Sequence, residues 1–193
     1  MALLRIKYLI LFLGVSNILL AQNKRILATT SIGVLSSIGQ NDNIGKRGFT
    51  TVTGGELLLS KNLWLTLSAD FQSIAYRKIT ADVDIDQSLN LVPILIGGRL
   101  LLPNTSKLTP YVSASAGATV LTTPKSERVN GKTRIYNQGS LPFTYSFRGG
   151  VQYQIKDIFF PFIEVSYQSF RPDFSSKKVA FLPISIGLRT YPF

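Results

Sequence analysis

The 193-residue chain contains no cysteine and no histidine. Without cysteine there is no disulfide framework and no thiolate metal site. Without histidine the commonest metal ligand and the commonest general base near neutral pH are both missing. Charge is scarce as well: Asp, Glu, Lys and Arg make up 16% of the residues, against about 25% in an ordinary soluble domain. That is a lean supply for a water-facing surface. Helical periodicity is hard to find, and beyond residue 21 no run of 18 apolar residues occurs, so no membrane-crossing helix is expected.

What is present begins with a leader. Residues 1–21 open on Arg5 and Lys7, continue through the apolar run Tyr8 to Val15, and end at Ala21. This is the organisation of a signal peptide. Only 13 residues lie between Lys7 and Ala21, too few for a spanning helix. Cleavage near Ala21 or Gln22 is predicted, with residues 22–193 forming the mature domain. The net charge of +11 falls to +9 once Arg5 and Lys7 are removed. A basic balance suits an anionic lipid surface or nucleic acid. The positive residues are scattered over many short segments with no long basic run, so no nucleic-acid partner is expected.

The mature chain reads as strands. Period-2 segments fall at about 25–37, 49–60, 62–77, 88–102, 108–121, 142–155, 159–170 and 180–193. Each is longer than the 5 to 6 residues usual in globular sheets and long enough to cross a bilayer as a tilted strand. Short connections at 60–62, 103–107 and 156–158 alternate with longer polar ones at 38–48, 78–87, 122–141 and 171–179. The pattern predicts an all-β fold: an eight-stranded antiparallel up-and-down transmembrane β-barrel, with both termini on the short-turn side. Alternation is clearest where Leu63, Leu65, Leu67, Ala69 and Phe71 oppose Trp64, Thr66, Ser68, Asp70 and Gln72. A soluble barrel would turn the apolar set inward and a membrane barrel would turn it outward; the shortage of strand charges favours the second.

Six ionisable residues sit mid-strand: Glu56, Asp70, Arg99, Arg148, Glu164 and Arg189. Their signs balance and all fit the lumen side, so an internal ion-pair network is expected, the alternative being solvated charges at the barrel mouth. Glu56 and Glu164 would form an acid–base pair by residue type alone. No Ser–His or His–Asp arrangement exists, and neither enzyme activity nor a cofactor is expected. Asp82, Asp84 and Asp86 resemble a fragment of a calcium loop but lack its Gly and final Glu, so no metal site is assigned. Gly54-Gly55, Gly97-Gly98 and Gly149-Gly150 interrupt strands where the wall must bend or admit a large side chain. Pro93, Pro161 and Pro183 donate no ladder hydrogen bond and are expected at bulges or strand ends. Phe49, Tyr76, Tyr111, Phe143, Phe159, Phe160, Phe170, Phe181, Tyr191 and Phe193 lie near strand ends, as an aromatic girdle at the headgroups requires.

Three segments carry a family resemblance: Leu91-Val92-Pro93-Ile94-Leu95-Ile96-Gly97-Gly98, Thr109-Pro110-Tyr111-Val112, and the terminal Tyr191-Pro192-Phe193, together with the leader end Leu20-Ala21-Gln22. With these the chain resembles small outer-membrane β-barrels of the OmpA/OmpX-like type, especially those of Bacteroidetes. The resemblance implies location in the outer membrane and recognition by the barrel-assembly machinery through Tyr191 and Phe193. Arg189 departs from the pattern, and Leu182, Ile184, Ile186 and Leu188 are out of phase with Tyr191 and Phe193, so a bulge is expected near Thr190.

An eight-stranded barrel is about wide enough for its own side chains or one small ligand, so a general porin is not expected. The leading role is structural or surface interaction, with long loops outside and short turns in the periplasm. The loop at 122–141 carries Lys125, Arg128, Lys132 and Arg134 with Glu127, suited to anionic lipopolysaccharide or a protein partner in an envelope complex. Two other roles are open: accessory subunit of an outer-membrane assembly or secretion complex, and soluble periplasmic ligand-binding barrel.

Overall fold

A computed structural model describes residues 26–38, 44–80, 83–129, 132–155, 158–172 and 178–191. The leader expected at 1–21 and the terminal Phe193 lie outside the described residues. The strands are β1 (Ile26–Ile38), β2 (Ile44–Ser60), β3 (Leu63–Thr80), β4 (Val83–Leu101), β5 (Leu108–Val129), β6 (Lys132–Ser140), β7 (Phe143–Tyr153), β8 (Phe159–Phe170) and β9 (Val179–Thr190). The order β4-β3-β2-β1-β9-β8-β7-β5 closes through a β4–β5 seam, every pairing antiparallel. Eight strands therefore form a closed barrel. β6 is not a ninth stave. It pairs with β5 above Thr119 while β7 pairs with β5 below it, so β6 and β7 are one strand cut at Leu141-Pro142. The Thr119 amide donates to the Pro142 carbonyl at 3.0 Å across the cut.

The short connections are local and well bonded. Asn104 organises the β4–β5 turn, its Oδ1 accepting from the Ser106 amide at 2.9 Å, as Asn does in turns. At the opposite end the strands run further than expected. β2 begins at Ile44, β3 and β4 meet across residues 81–82, and β5 and β6 meet across 130–131. The expected loops at 38–48, 78–87 and 122–141 are thus mostly strand. Their polar composition suggested loops, but a sheet that rises above lipid is wet outside, and Thr122, Thr123, Val129, Thr133 and Ile135 supply β-propensity there.

The prolines are accommodated inside strands. β3 and β4 pair up to Ala69↔Ile94 and resume at Gln72↔Leu91, leaving a gap opposite Pro93 with the register unchanged. β8 and β9 show the same gap between Val165↔Ile184 and Gln168↔Phe181, opposite Pro183. Each ring removes a donor from one seam, while the other seam continues through Thr119↔Pro93 or Leu35↔Pro183. Pro161 pairs with Leu188 near the start of β8. The expected bulge at Thr190 does not occur: this residue pairs in unbroken register with Ala28 and with Phe159. Arg189 simply takes the inward phase, and Tyr191 continues it. The register shifts fall instead in the β2–β3 seam, between Ile44 and Gly48 and between Leu58 and Ser60.

Polarity changes sign along the barrel. In the half nearest the short turns, Leu63, Leu65, Leu67, Phe71, Ile94, Ile96, Leu100, Ile163, Val165, Ile184 and Ile186 are exposed on the outside. The nine residues Leu63–Phe71 match the span a tilted membrane strand needs. In the other half the apolar residues move to the inward phase. Leu35, Ile44, Ile74, Tyr76, Leu89, Leu91, Leu121, Phe170, Val179 and Phe181 pack into one buried cluster inside the barrel, and Ala75, Arg77, Ser88 and Asn90 face out. The first half is built for lipid. The second has the polarity of a water-soluble barrel.

Candidate functional site

The lumen of the lipid-spanning half is the site the sequence singled out. Glu56, Asp70, Arg99, Arg148, Glu164 and Arg189 all point inward, five of them buried and Arg148 nearly so. They form one chain of alternating sign. The Arg99 Nε donates to Glu56 Oε2 at 2.6 Å, and its Nη2 also lies against that oxygen. Glu56 Oε1 accepts from Arg189 Nε at 2.7 Å. Arg189 reaches Glu164 at 3.5 Å, Glu164 reaches Arg148 at 3.7 Å, and Arg148 Nη2 donates to Asp70 Oδ2 at 3.1 Å. Three acids and three bases give no net charge, so every buried charge has an opposite neighbour. Such alternation is what offsets the heavy desolvation of burying ions.

Residues that the sequence did not assign to the network complete it. Thr29 Oγ1 donates to Glu56 Oε1 at 2.8 Å, and the Tyr111 hydroxyl donates to Glu164 Oε2 at 3.0 Å. Gln152 Oε1 accepts from Arg99 Nη1 at 2.8 Å. The Arg99 guanidinium sits 5.4 Å from the ring centres of both Trp64 and Tyr111. The Arg189 guanidinium lies 4.5 Å from Tyr111 and 3.9 Å from Phe162. These are cation–π distances. Register was the available signal: Trp64 pairs with Arg99, Thr29 with Arg189, and Gln152 with Phe162.

The aromatic girdle needs correction. Tyr76, Tyr111, Phe170 and Phe181 are buried in the lumen, and Phe170 stacks on Phe181 at 5.8 Å. Their inward phase overrides their nearness to strand ends. Phe49 and Phe143 are exposed outside, as a girdle requires. Tyr191 is half-buried against Phe160 at 5.9 Å. Lys125, Arg128, Lys132 and Arg134 belong to the β5–β6 hairpin backbone rather than to a loop; their side chains lie outside the described residues, as do those of Asp82, Asp84 and Asp86.

From the turn end upward, the lumen holds the arginine–aromatic stack, then the ion chain, then a band of hydroxyls and amides. In that band Gln72 Nε2 donates to Gln168 Oε1 at 2.8 Å, and Thr119 and Thr144 hydroxyls meet at 2.6 Å. The apolar cluster closes the top. A cavity of about 30 Å³ is left beside the ion chain, lined by Ser31, Ser68, Ser113 and Ser115 among others, the scale of roughly one or two waters. Glu56 and Glu164 are each gripped by arginines, and Arg189 sits between them, which is not the free acid–base pair that their residue type alone suggested.

No protein-family model matches the chain, and no curated protein matches it. Solved structures do. Neisserial surface protein A superposes with a TM-score of 0.59 at 15% identity, covering 86% of this chain and 96% of that one. The outer membrane protein OprG from Pseudomonas aeruginosa gives 0.57 at 9% identity, covering 88% and 97%. At such identities the likeness establishes the fold, that of small outer-membrane barrels. Lipid-facing leucines and isoleucines around an ion-paired lumen complete the case: the barrel spans the outer membrane.

Proposed function

We propose that this barrel is a non-enzymatic, non-conducting platform of the OmpA/OmpX-like type that presents a basic outer rim to anionic partners. The observation that carries the reading is the filling of the lumen. Ion chain, amide band and apolar cluster occupy it in succession, so the barrel offers rigidity rather than a passage. Lumen charges cancel, and the excess of positive charge is shared between the two ends of the barrel. Segments 38–48, 78–87, 122–141 and 171–179 hold ten Lys or Arg and six Asp or Glu, a net +4. With short turns in the periplasm, that rim faces outward, where lipopolysaccharide phosphates or an acidic protein surface would meet it. The exposed apolar belt disfavours the soluble periplasmic alternative.

The test is charge reversal in the β5–β6 hairpin. The mature protein carrying K125E, R128E, K132E and R134E, held in nanodiscs, is expected to lose salt-sensitive binding to lipopolysaccharide that the unmodified protein retains. Equal binding by both would reject the basic-rim role. A stoichiometric protein partner that copurifies in gentle detergent and survives the charge reversal would point instead to a subunit of an envelope complex.

A further inference from the structure

The paired glycines behave differently on the two faces of the wall. A Cβ at Gly97 would sit 2.1 Å from the Ala114 carbonyl, and one at Gly150 would meet the Ile163 carbonyl at 2.4 Å and the Tyr111 hydroxyl at 2.6 Å. The curved wall and its filled lumen therefore need glycine at 97 and 150. Their neighbours are not needed in the same way. A Cβ at Gly98 would make only ordinary contacts at 3.8 Å and 4.0 Å, and one at Gly149 would meet nothing within 4 Å. Neither has a backbone conformation that demands glycine. Glycine within a strand costs stability relative to a residue with a side chain, so these positions call for a reason outside the wall.

The outer surface supplies it. Gly98 and Ala114 form the floor of a groove of about 380 Å³ whose walls are Leu63, Leu100, Val112 and Phe147. Val112 pairs with Gly149 on its other side, so the low surface continues onto β7. The groove lies in the lipid-facing half, close to the short turns. Two exposed cations stand at that end: Lys61, two residues before the wall residue Leu63, and Lys107, the residue before β5. The two turns that carry them, 60–62 and 102–107, contain no acidic residue. A greasy slot beneath two lysines whose own turns carry no acid matches an amphiphile with an anionic head.

We propose that this groove is a specific site for an anionic phospholipid of the inner leaflet, one acyl chain lying over Gly98 and Ala114 and the phosphate meeting Lys61 and Lys107. Lipid tails are as apolar as the groove, so fit and charge, not transfer from water, distinguish the bound lipid from its neighbours. The inference rests on the barrel crossing lipid with its short turns in the periplasm, and does not depend on the basic outer rim binding anything.

The experiment is native mass spectrometry of the mature barrel released from nanodiscs of equal phosphatidylglycerol and phosphatidylcholine. One retained phosphatidylglycerol per barrel is expected. G98L with A114L fills the slot and should abolish retention of either lipid. K61E with K107E leaves the slot open and should cut the preference for phosphatidylglycerol by about thirtyfold or more, since each of the two lysines near an anionic surface is worth about 1 kcal/mol. Heat-modified gel migration verifies that each variant is folded; substitutions at these unobstructed outer positions are expected to pass. If G98L with A114L misfolds, A114L alone carries the test and should cut retention. No retained lipid, or retention unchanged when the slot is filled, overturns the proposal. A dimer lost on filling overturns it in favour of a second copy in the groove.

Discussion

Glu56→Gln removes one negative charge from the middle of the ion chain while keeping the shape of the side chain. Glu56 holds Arg99 through Nε at 2.6 Å and Arg189 through Nε at 2.7 Å, and takes a third hydrogen bond from Thr29. At an effective dielectric constant near 20, each such attraction is about 4 kcal/mol. The amide keeps one acceptor oxygen and loses the desolvation cost of the carboxylate, which returns part of that sum. Two arginines nonetheless stay buried with a single counter-charge nearby, Glu164. Breaking a buried pair from one side typically costs about 3–5 kcal/mol, and that is the expected loss. Trp64 is the only tryptophan in the chain and sits 5.4 Å from Arg99, so its fluorescence reports unfolding of this region directly. Urea unfolding in lipid vesicles, followed by Trp64 emission, measures the loss. The double variant E56Q/R99Q removes one of the stranded cations and should recover part of it. A loss of under about 1 kcal/mol, the scale of exposed ion pairs, would refute the view that the chain of charges is a mutually dependent unit.

Arg148→Met strands Asp70 and weakens the hold on Glu164, so it should cost about 3 kcal/mol in the same assay; an unchanged midpoint would reject its structural role. Phe181→Ala opens the loop-end cluster and should cost about 3–5 kcal/mol without altering insertion into vesicles. Ile96→Lys places a cation on the lipid face and should cost about 2–4 kcal/mol if Ile96 lies near the membrane midplane. The reconstituted protein should give no steady ion conductance across a planar bilayer, and discrete channel steps from the folded barrel would contradict the filled lumen.

The strand ladder was legible because lipid and lumen impose opposite demands on alternate residues. Leu63 to Phe71, Val112 to Val120 and Ile163 to Tyr167 carry that signature. The six lumen charges were legible for the same reason, being the ionisable residues on the polar phase. The apolar cluster was not, because a period-2 pattern fixes two faces without saying which is inside. Its signal is a phase change. In β3 the apolar positions shift from Leu63, Leu65, Leu67 and Phe71 to Ile74 and Tyr76. In β4 they shift from Ile94 and Ile96 to Leu89 and Leu91, and in β9 from Ile184 and Ile186 to Phe181 and Val179. Each shift marks where the strand leaves lipid and the outer face becomes wet. Tyr76, Phe170 and Phe181 were assigned to a girdle because that boundary was placed too far along the strands. Tyr111 was assigned to the girdle too, and the contact of Trp64, Tyr111 and Phe162 with the arginines was not legible because only the tertiary closure of the barrel brings aromatic rings from three strands against two arginines.

Alternate residues of one membrane-spanning strand face lipid and lumen. The absence of native cysteine allows single nitroxide labels at successive positions of β4 in vesicles. Leu95 is 1% exposed and Ile96 57%. The label at Ile94 and at Ile96 should collide freely with dissolved oxygen and poorly with a water-soluble nickel complex, while the label at Leu95 should be shielded from both. Labels at Ile94 and Ile96 that collide mainly with the nickel complex would contradict a lipid-facing belt.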